Sequence, residues 1–243
     1  MLSTASCFPR NITLNIYFIR HAESEFNVSG IVQGHLDADL SPNGLDQAKS
    51  LAKHLKDIKF EYCYTSDLIR ASKTADYVIE INQNKECIKY SKEKLLRERN
   101  FGEAQGQKKS FMIEKSLESN VKFEDYVPKG AESRQDIIER WRLFLKKLCN
   151  EMSGNTANEI FIMVVSHGAF MRESIKSMLR EYNCDFKYDL NELEKSAPNT
   201  SVTQFRVNLS VKSKNEWSIN FIEFESFCNK NHLENISETF CDL

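Results

Sequence analysis

Apolar positions in this chain alternate between unbroken runs and helical stripes. Ile12–Ile19 is almost continuously β-branched or aromatic, the pattern of a strand buried on both faces. Phe60–Thr65 and Ile160–Val165 read the same way, and Ile88–Tyr90 reads as a short strand. Between these runs the period lengthens. Leu45, Ala48, Leu51, Ala52 and Leu55 form one face of a helix opened by Ser41-Pro42, a cap followed by proline at the first helical position. Ser66 is a candidate cap for a helix over Asp67–Glu80. Ser133 is the candidate cap of another, with Ile137, Ile138, Trp141, Leu145 and Leu148 on one face. A helix over Ala169–Arg180 follows the Ile160 strand, and two last strands are predicted at Val202–Leu209 and Trp217–Phe224.

Strands alternating with helices predict a three-layer α/β/α fold around a mostly parallel sheet. Residues 91–130 are polar with few periodic apolar positions, and such a long excursion predicts a lid-like insertion. The whole chain, 1–243, reads as a single domain with its core at about 12–225. An N-terminal extension and a polar tail from about Cys228 are expected to be loose.

Composition narrows the function. The net charge is -2, with 41% apolar and 28% charged residues. That excludes the basic balance of a protein held to nucleic acid by phosphate contacts, but leaves room for a positive pocket. The longest strictly apolar run, Ile160–Val165, is far short of the about 20 residues needed to span a membrane. The first residues lack a secretory pattern, and the seven cysteines contain no C-x-x-C pair. A cytoplasmic, reduced protein is expected, with no metal and no cofactor. Five N-x-[ST] sequons are discounted because one, Asn27-Val-Ser29, lies in the candidate site loop.

Three predicted strands end in chemistry. The first runs into Arg20-His21, the second into Ser66-Asp67-Leu68-Ile69-Arg70, and the Ile160 strand into Ser166-His167-Gly168-Ala169. In a parallel sheet these ends converge on one crevice. Two arginines and two histidines there suit a tetrahedral dianion, a phosphoryl group. The first amides of the Ala169 helix are expected to add donors. Taken singly, each residue is more often structural: a histidine after a strand, an arginine at a helix start, a glycine in a turn.

Four blocks, in order, resemble the histidine phosphatase superfamily, the phosphoglycerate-mutase-like proteins. They are Arg20-His-Ala-Glu-Ser-Glu-Phe-Asn27, Ser66-Asp-Leu-Ile-Arg-Ala-Ser-Lys-Thr-Ala75, Leu96-Arg-Glu-Arg-Asn-Phe-Gly-Glu-Ala-Gln-Gly106 and Val164-Val-Ser-His-Gly168. One position departs: Ala22 stands where the family usually has glycine, which puts the loop geometry in question. The resemblance implies His21 as nucleophile, forming a phosphohistidine. It implies Arg20, Arg70, His167 and Gly168 around the phosphoryl group, with Asn27 as a further ligand. It implies Glu98 as general acid and then base. Ser24 and Gln33 are expected at the substrate rim. Asn199 and Thr200 are either at that rim or in a plain turn before a strand.

The segment Gln107–Gly130 lacks the Arg-Arg pair and proline-rich stretch that mutases share, which favours a phosphatase. Ser166-His-Gly-Ala-Phe-Met-Arg172 and Ala197-Pro-Asn-Thr200 resemble the TIGAR-type fructose-2,6-bisphosphatase group more closely. The expected partner is therefore a small phosphorylated sugar or other phosphometabolite, with no nucleic acid or membrane, and no oligomeric state is implied. Two alternatives stay open. One is a broad phosphomonoesterase or phosphoglycerate phosphatase or mutase. The other is a non-catalytic module that binds phospho-ligands, which the intact Arg20, His21, Arg70, Glu98 and His167 set argues against.

Overall fold

The structure is a computed structural model that describes residues 9–234. Its elements in chain order are β1 (Arg10–Arg20), α1 (Glu25–Val28), α2 (Pro42–Leu55), β2 (Tyr62–Thr65), α3 (Ile69–Ile81), β3 (Lys89–Lys92), α4 (Lys109–Glu118), α5 (Arg134–Ser153), β4 (Glu159–Ser166), α6 (Gly168–Glu181), β5 (Cys184–Asp185), β6 (Val202–Ser213) and β7 (Glu216–Asn229). The strands form one seven-stranded sheet in the order β3-β2-β4-β1-β6-β7-β5. Only β6 runs against the others, so the sheet is mostly parallel.

The strand period of two builds the three layers. Ile12, Leu14, Ile16 and Phe18 of β1 point into a cluster with Trp141, Phe144 and Leu148 of α5 and with Phe170 and Ile175 of α6. Tyr17 and Ile19 point the other way, onto Leu51 and Leu55 of α2 and Ala71, Ala75 and Val78 of α3. Because both faces are covered, β1 and β4 carry unbroken apolar runs.

Helix α2 starts as expected, with Ser41 Oγ accepting from the Gly44 amide at 2.9 Å. The same hydroxyl donates to Glu23 Oε1 at 2.5 Å, tying the helix to the loop after β1. A Cβ on Gly44 would sit 1.9 Å from the Glu23 carbonyl oxygen, so only glycine permits this approach. Helix α5 carries the expected Ser133 cap as a full capping box with Asp136.

Three expectations need correction. Helix α3 begins at Ile69, with Leu68 rather than Ser66 at its cap. The Ser66 amide instead continues the sheet, donating to Val165 O at 2.9 Å, while Asp37 Oδ1 takes the Ile69 amide. Residues 91–130 are not wholly irregular: they contain α4 and three 3-10 turns. Phe111, Met112 and Tyr126 from this excursion pack with Val32, Phe101, Ala104 and Ala169 into a third apolar cluster. Residues 228–234 do not form a loose tail: β7 runs to Asn229 and Leu233 is buried. The expected loose ends at 1–8 and 235–243 lie outside the described residues. Among the described residues no helix is long and apolar enough to cross a membrane.

Candidate active site

The site grows out of the register of β1 and β4. Arg20 pairs with Ser166, so His21 and His167 leave the sheet side by side. The His21 amide donates to Ser166 O at 2.9 Å, and the two imidazole centroids are 5.0 Å apart. Strand β2, on the other side of β4, delivers Arg70 through the first turn of α3.

His21 is buried. Its Nδ1 lies 2.7 Å from the carbonyl oxygen of Ala22. A carbonyl only accepts, so Nδ1 carries the proton and Nε2 keeps its lone pair. Burial, with Arg70 and Arg20 nearby, holds the imidazole well below its usual range and therefore neutral. That is the state a nucleophilic histidine needs. Ala22 itself is not in the left-handed region, and its amide donates to Thr74 Oγ1 at 2.9 Å. The methyl group in place of the family's hydrogen is accommodated among Leu40 and Ala48.

His167 is fully buried, and neither ring nitrogen has a hydrogen-bond partner. Burial and the charge of Arg70 push it well below its usual range as well. A buried imidazole left unpaired is costly unless a ligand completes it. Arg70 is also buried; its Nη groups donate to Leu36 O and Gly34 O, both at 2.9 Å. Its Nε is buried without a partner. Burial lowers it to about 10, so it is a full cation at neutral pH. Arg20 donates through Nη1 to Ser196 Oγ at 3.1 Å and to the Ala197 carbonyl. A Cβ on Gly168 would lie 3.1 Å from Ser196 Oγ and 3.5 Å from Arg20 Cζ. The glycine lets α6 start against the guanidinium.

Glu98 is half-buried and held by backbone amides rather than by a surface ion pair. Its Oε1 accepts from the amides of Arg99 (2.8 Å) and Phe170 (3.0 Å), and Oε2 from Ala169 (3.2 Å). The Ala169 and Phe170 amides, expected to bind phosphate, are thus engaged by this carboxylate. Oε2, with its single long bond, has room to carry and pass a proton. The backbone beneath it is clamped: Glu98 O lies 2.9 Å from His35 Nε2 and accepts from Arg140 Nη2 at 3.1 Å. Arg140 is in turn ion-paired to Glu132 at 2.7 Å. His35, Glu132 and Arg140 went unnoticed in the sequence because they act on backbone and bear no motif of their own.

Arg20, His21, Asn27, Gln33, Arg70, Glu98 and Gly168 all line one small cleft, joined by Lys109, Arg172 and Ser196. Asn27 Oδ1 accepts from the Ser24 amide at 3.0 Å, which fixes its side chain on the cleft wall. The Ser24 hydroxyl, with its one proton, sits 2.8 Å from Gln33 Oε1 and 3.0 Å from Asn27 Oδ1, and Gln33 also lines the cleft. Three residues expected at the rim are elsewhere. Ser24 is fully buried and caps α1, behind the cleft. Asn199 Nδ2 donates to the His21 carbonyl at 2.8 Å. The Thr200 amide donates to Arg20 O at 3.0 Å, with its φ at +57°. A β-branched residue there costs about 1–3 kcal/mol and persists only where its surroundings impose it. Both residues therefore brace the loop that carries His21.

Such a set fits covalent phosphoryl transfer: a neutral imidazole, fixed cations and a carboxylate line one cleft, with a second imidazole, itself lacking partners, 5.0 Å from the first. Residues 16–219 match the histidine phosphatase superfamily (branch 1). The chain belongs to that superfamily. It is 28% identical over 222 residues to the fructose-2,6-bisphosphatase TIGAR B of Danio rerio, covering 80% of this chain and 86% of that protein. It is 31% identical over 157 residues to a putative phosphoserine phosphatase 2 of Hydrogenobacter thermophilus, covering 63% of this chain and 72% of that one. Among solved structures, a phosphoglycerate mutase from Bacillus anthracis superposes with a TM-score of 0.73 at 22% identity, over 92% of this chain and 96% of its own. The family match supports a phosphatase.

The buried histidines of this chain predict its acid sensitivity. His21 and His167 stay neutral when folded, as does His232, which is lowered to about 4 by burial and His54. Below the usual 6.5 the unfolded chain takes up protons that the folded chain refuses. Each such histidine then removes about 1.4 kcal/mol of stability per pH unit. The thermal midpoint should fall from pH 7 to pH 5, and these groups should contribute no change from pH 7 to 8. A midpoint at pH 5 equal to that at pH 7 would mean the imidazoles are not held neutral.

Proposed function

We propose that the protein hydrolyses a phosphate monoester of a small phosphometabolite through a phosphohistidine at His21, and that fructose 2,6-bisphosphate is the substrate it fits best. In the first step Nε2 of His21 attacks phosphorus, and the bond to the leaving alkoxide breaks. Glu98 gives the alkoxide its proton. Arg20, Arg70 and His167 hold the equatorial oxygens, where charge is spread in the transition state. In the second step Glu98 takes a proton from water, which attacks the phosphohistidine and releases inorganic phosphate and neutral His21.

One observation carries the choice of a doubly phosphorylated substrate. A cavity of about 510 Å³ is lined by Arg99, Arg134 and Arg172, and it shares Phe101, Ala169 and Arg172 with the phosphoryl cleft. Arg99 is buried, with its Nε donating to Glu132 O at 2.8 Å and its Nη2 without a partner. Burial above all, and then the charges of Arg134 and Arg172, lower it from its usual range, so three cations crowd this wall. A second phosphate relieves that crowding. The likeness to the TIGAR-type protein supports the same substrate.

Asp125, Glu173 and Glu194 line the same cavity. These carboxylates accept from sugar hydroxyls, but they also suit an ammonium group. Phosphoserine, with both a carboxylate and an ammonium, is therefore the second reading. A substrate panel separates the two by catalytic efficiency. Arg99→Met keeps the apolar stem and removes the charge. It should lower kcat/KM for fructose 2,6-bisphosphate by about 10–100-fold, the worth of a charged hydrogen bond, and leave an aryl phosphate within about threefold. Equal losses on both substrates, or a wild-type preference for phosphoserine or simple monophosphates, would rule out the bisphosphate reading.

A further inference from the structure

The segment after β7 reaches the loop that carries His21 through Thr200, outside the lining of the cleft. His232 lies in a 3-10 turn, Asn231–Leu233, just after β7 and beyond the stretch that matches the family. Its Nε2 is 3.0 Å from Thr200 Oγ1. The Thr200 hydroxyl spends its own proton on Asn199 O at 2.7 Å, so it accepts from His232. That sets the Nε2–H tautomer, and the Nδ1 of His232 is buried without a partner.

Thr200 is the residue in the left-handed conformation whose amide holds Arg20 O at 3.0 Å and approaches His21 O at 3.4 Å. The turn that carries His232 is itself anchored to α2. Ser50 Oγ donates to His232 O at 2.5 Å, the rings of His54 and His232 stack at 5.5 Å, and Leu233 is buried. A continuous set of bonds therefore runs from helix α2 through His232 and Thr200 to the backbone of the attacking histidine.

We propose that His232 is a positioning residue: it holds Thr200 in its strained conformation, and Thr200 holds the carbonyls of Arg20 and His21 so that the imidazole faces the phosphoryl group. Neither Thr200 nor His232 lines the cleft, so the effect falls on the rate of phosphoryl transfer rather than on the affinity for substrate. The inference rests on His21 being the phosphoryl acceptor.

The test uses the full chain and rapid-quench measurement of phosphoenzyme formation, alongside steady-state kinetics. His232→Ala should slow phosphoenzyme formation and kcat by about three- to tenfold, the scale of one net hydrogen bond, with KM within about twofold. His232→Gln, whose amide nitrogen can occupy the Nε2 position, should recover most of that loss. Thr200→Val removes the acceptor but keeps the shape. It should show the same loss, and the double variant should be no slower than either single one. Should His232→Ala turn over within about twofold of the parent, or should the two losses multiply, the positioning role is wrong. Should His232→Ala not fold, the Gln and Val variants decide the matter by the same criteria. Absence of phosphoenzyme in the unsubstituted chain would instead overturn the reading of His21, and this inference with it.

Discussion

Replacing His21 by alanine is expected to abolish turnover, with a loss of about 10⁴-fold or more, because removal of a covalent nucleophile disables both chemical steps at once. The fold should survive. The His21 backbone keeps its bonds to Ser166, Asn199 and Thr200, none of which involves the imidazole. The side chain makes one hydrogen bond, to its neighbour's carbonyl, and that carbonyl is left behind in the variant. A modest loss of stability of about 1–3 kcal/mol follows from the orphaned acceptor and the small cavity. Circular dichroism and thermal melting separate this from unfolding. A folded variant that retains a tenth of parental turnover would take the nucleophile role away from His21.

Glu98→Gln is expected to discriminate between leaving groups. Gln can still accept from the Phe170 and Arg99 amides through one oxygen, so the backbone around it should hold. It cannot donate and recover a proton as a carboxyl group does. A sugar alkoxide is a poor leaving group and needs that proton, whereas an aryl oxide leaves readily without it. Hydrolysis of fructose 2,6-bisphosphate should fall by about 10²–10⁴-fold, the usual worth of general acid catalysis. Phosphoenzyme formation from an aryl phosphate should fall far less. Its steady-state rate can still drop if hydrolysis of the phosphoenzyme, which needs Glu98 as base, becomes limiting. The decisive reading is therefore the burst phase with each substrate. Equal losses in the burst would mean Glu98 does not protonate the leaving group.

The sheet and its four flanking helices were legible because their patterns are strong and local. β1 and β4 are unbroken apolar runs, and Ser41-Pro42 and Ser133 mark helix starts unambiguously. Helix α4 was not, because Ile113 and Leu117 face solvent while Met112 and Ser116 are buried, which blurs its stripe. β5 has two residues and no pattern to read. In the site, residues that follow strand ends could be placed, since a parallel sheet brings its carboxyl ends together. What escaped was whatever tertiary contact decides. Ser24, Asn199 and Thr200 look like rim residues in a motif but turn inward to brace the loop. Arg99, Arg134 and Arg172 come from separate segments and meet only once the excursion folds over Ala169. His232 stands 32 positions from Thr200, with no periodic signal to connect them.

The central claim is that phosphate passes through His21. Its most direct test is to mix the protein with a phosphorylated substrate, quench in alkali within the first turnover, and locate phosphate on the chain by mass spectrometry. The account predicts one phosphoryl group per active chain, alkali-stable and acid-labile, on His21 and absent from the His21→Ala variant. Turnover with no phosphorylated chain at any quench time, or phosphate on another residue, would contradict it.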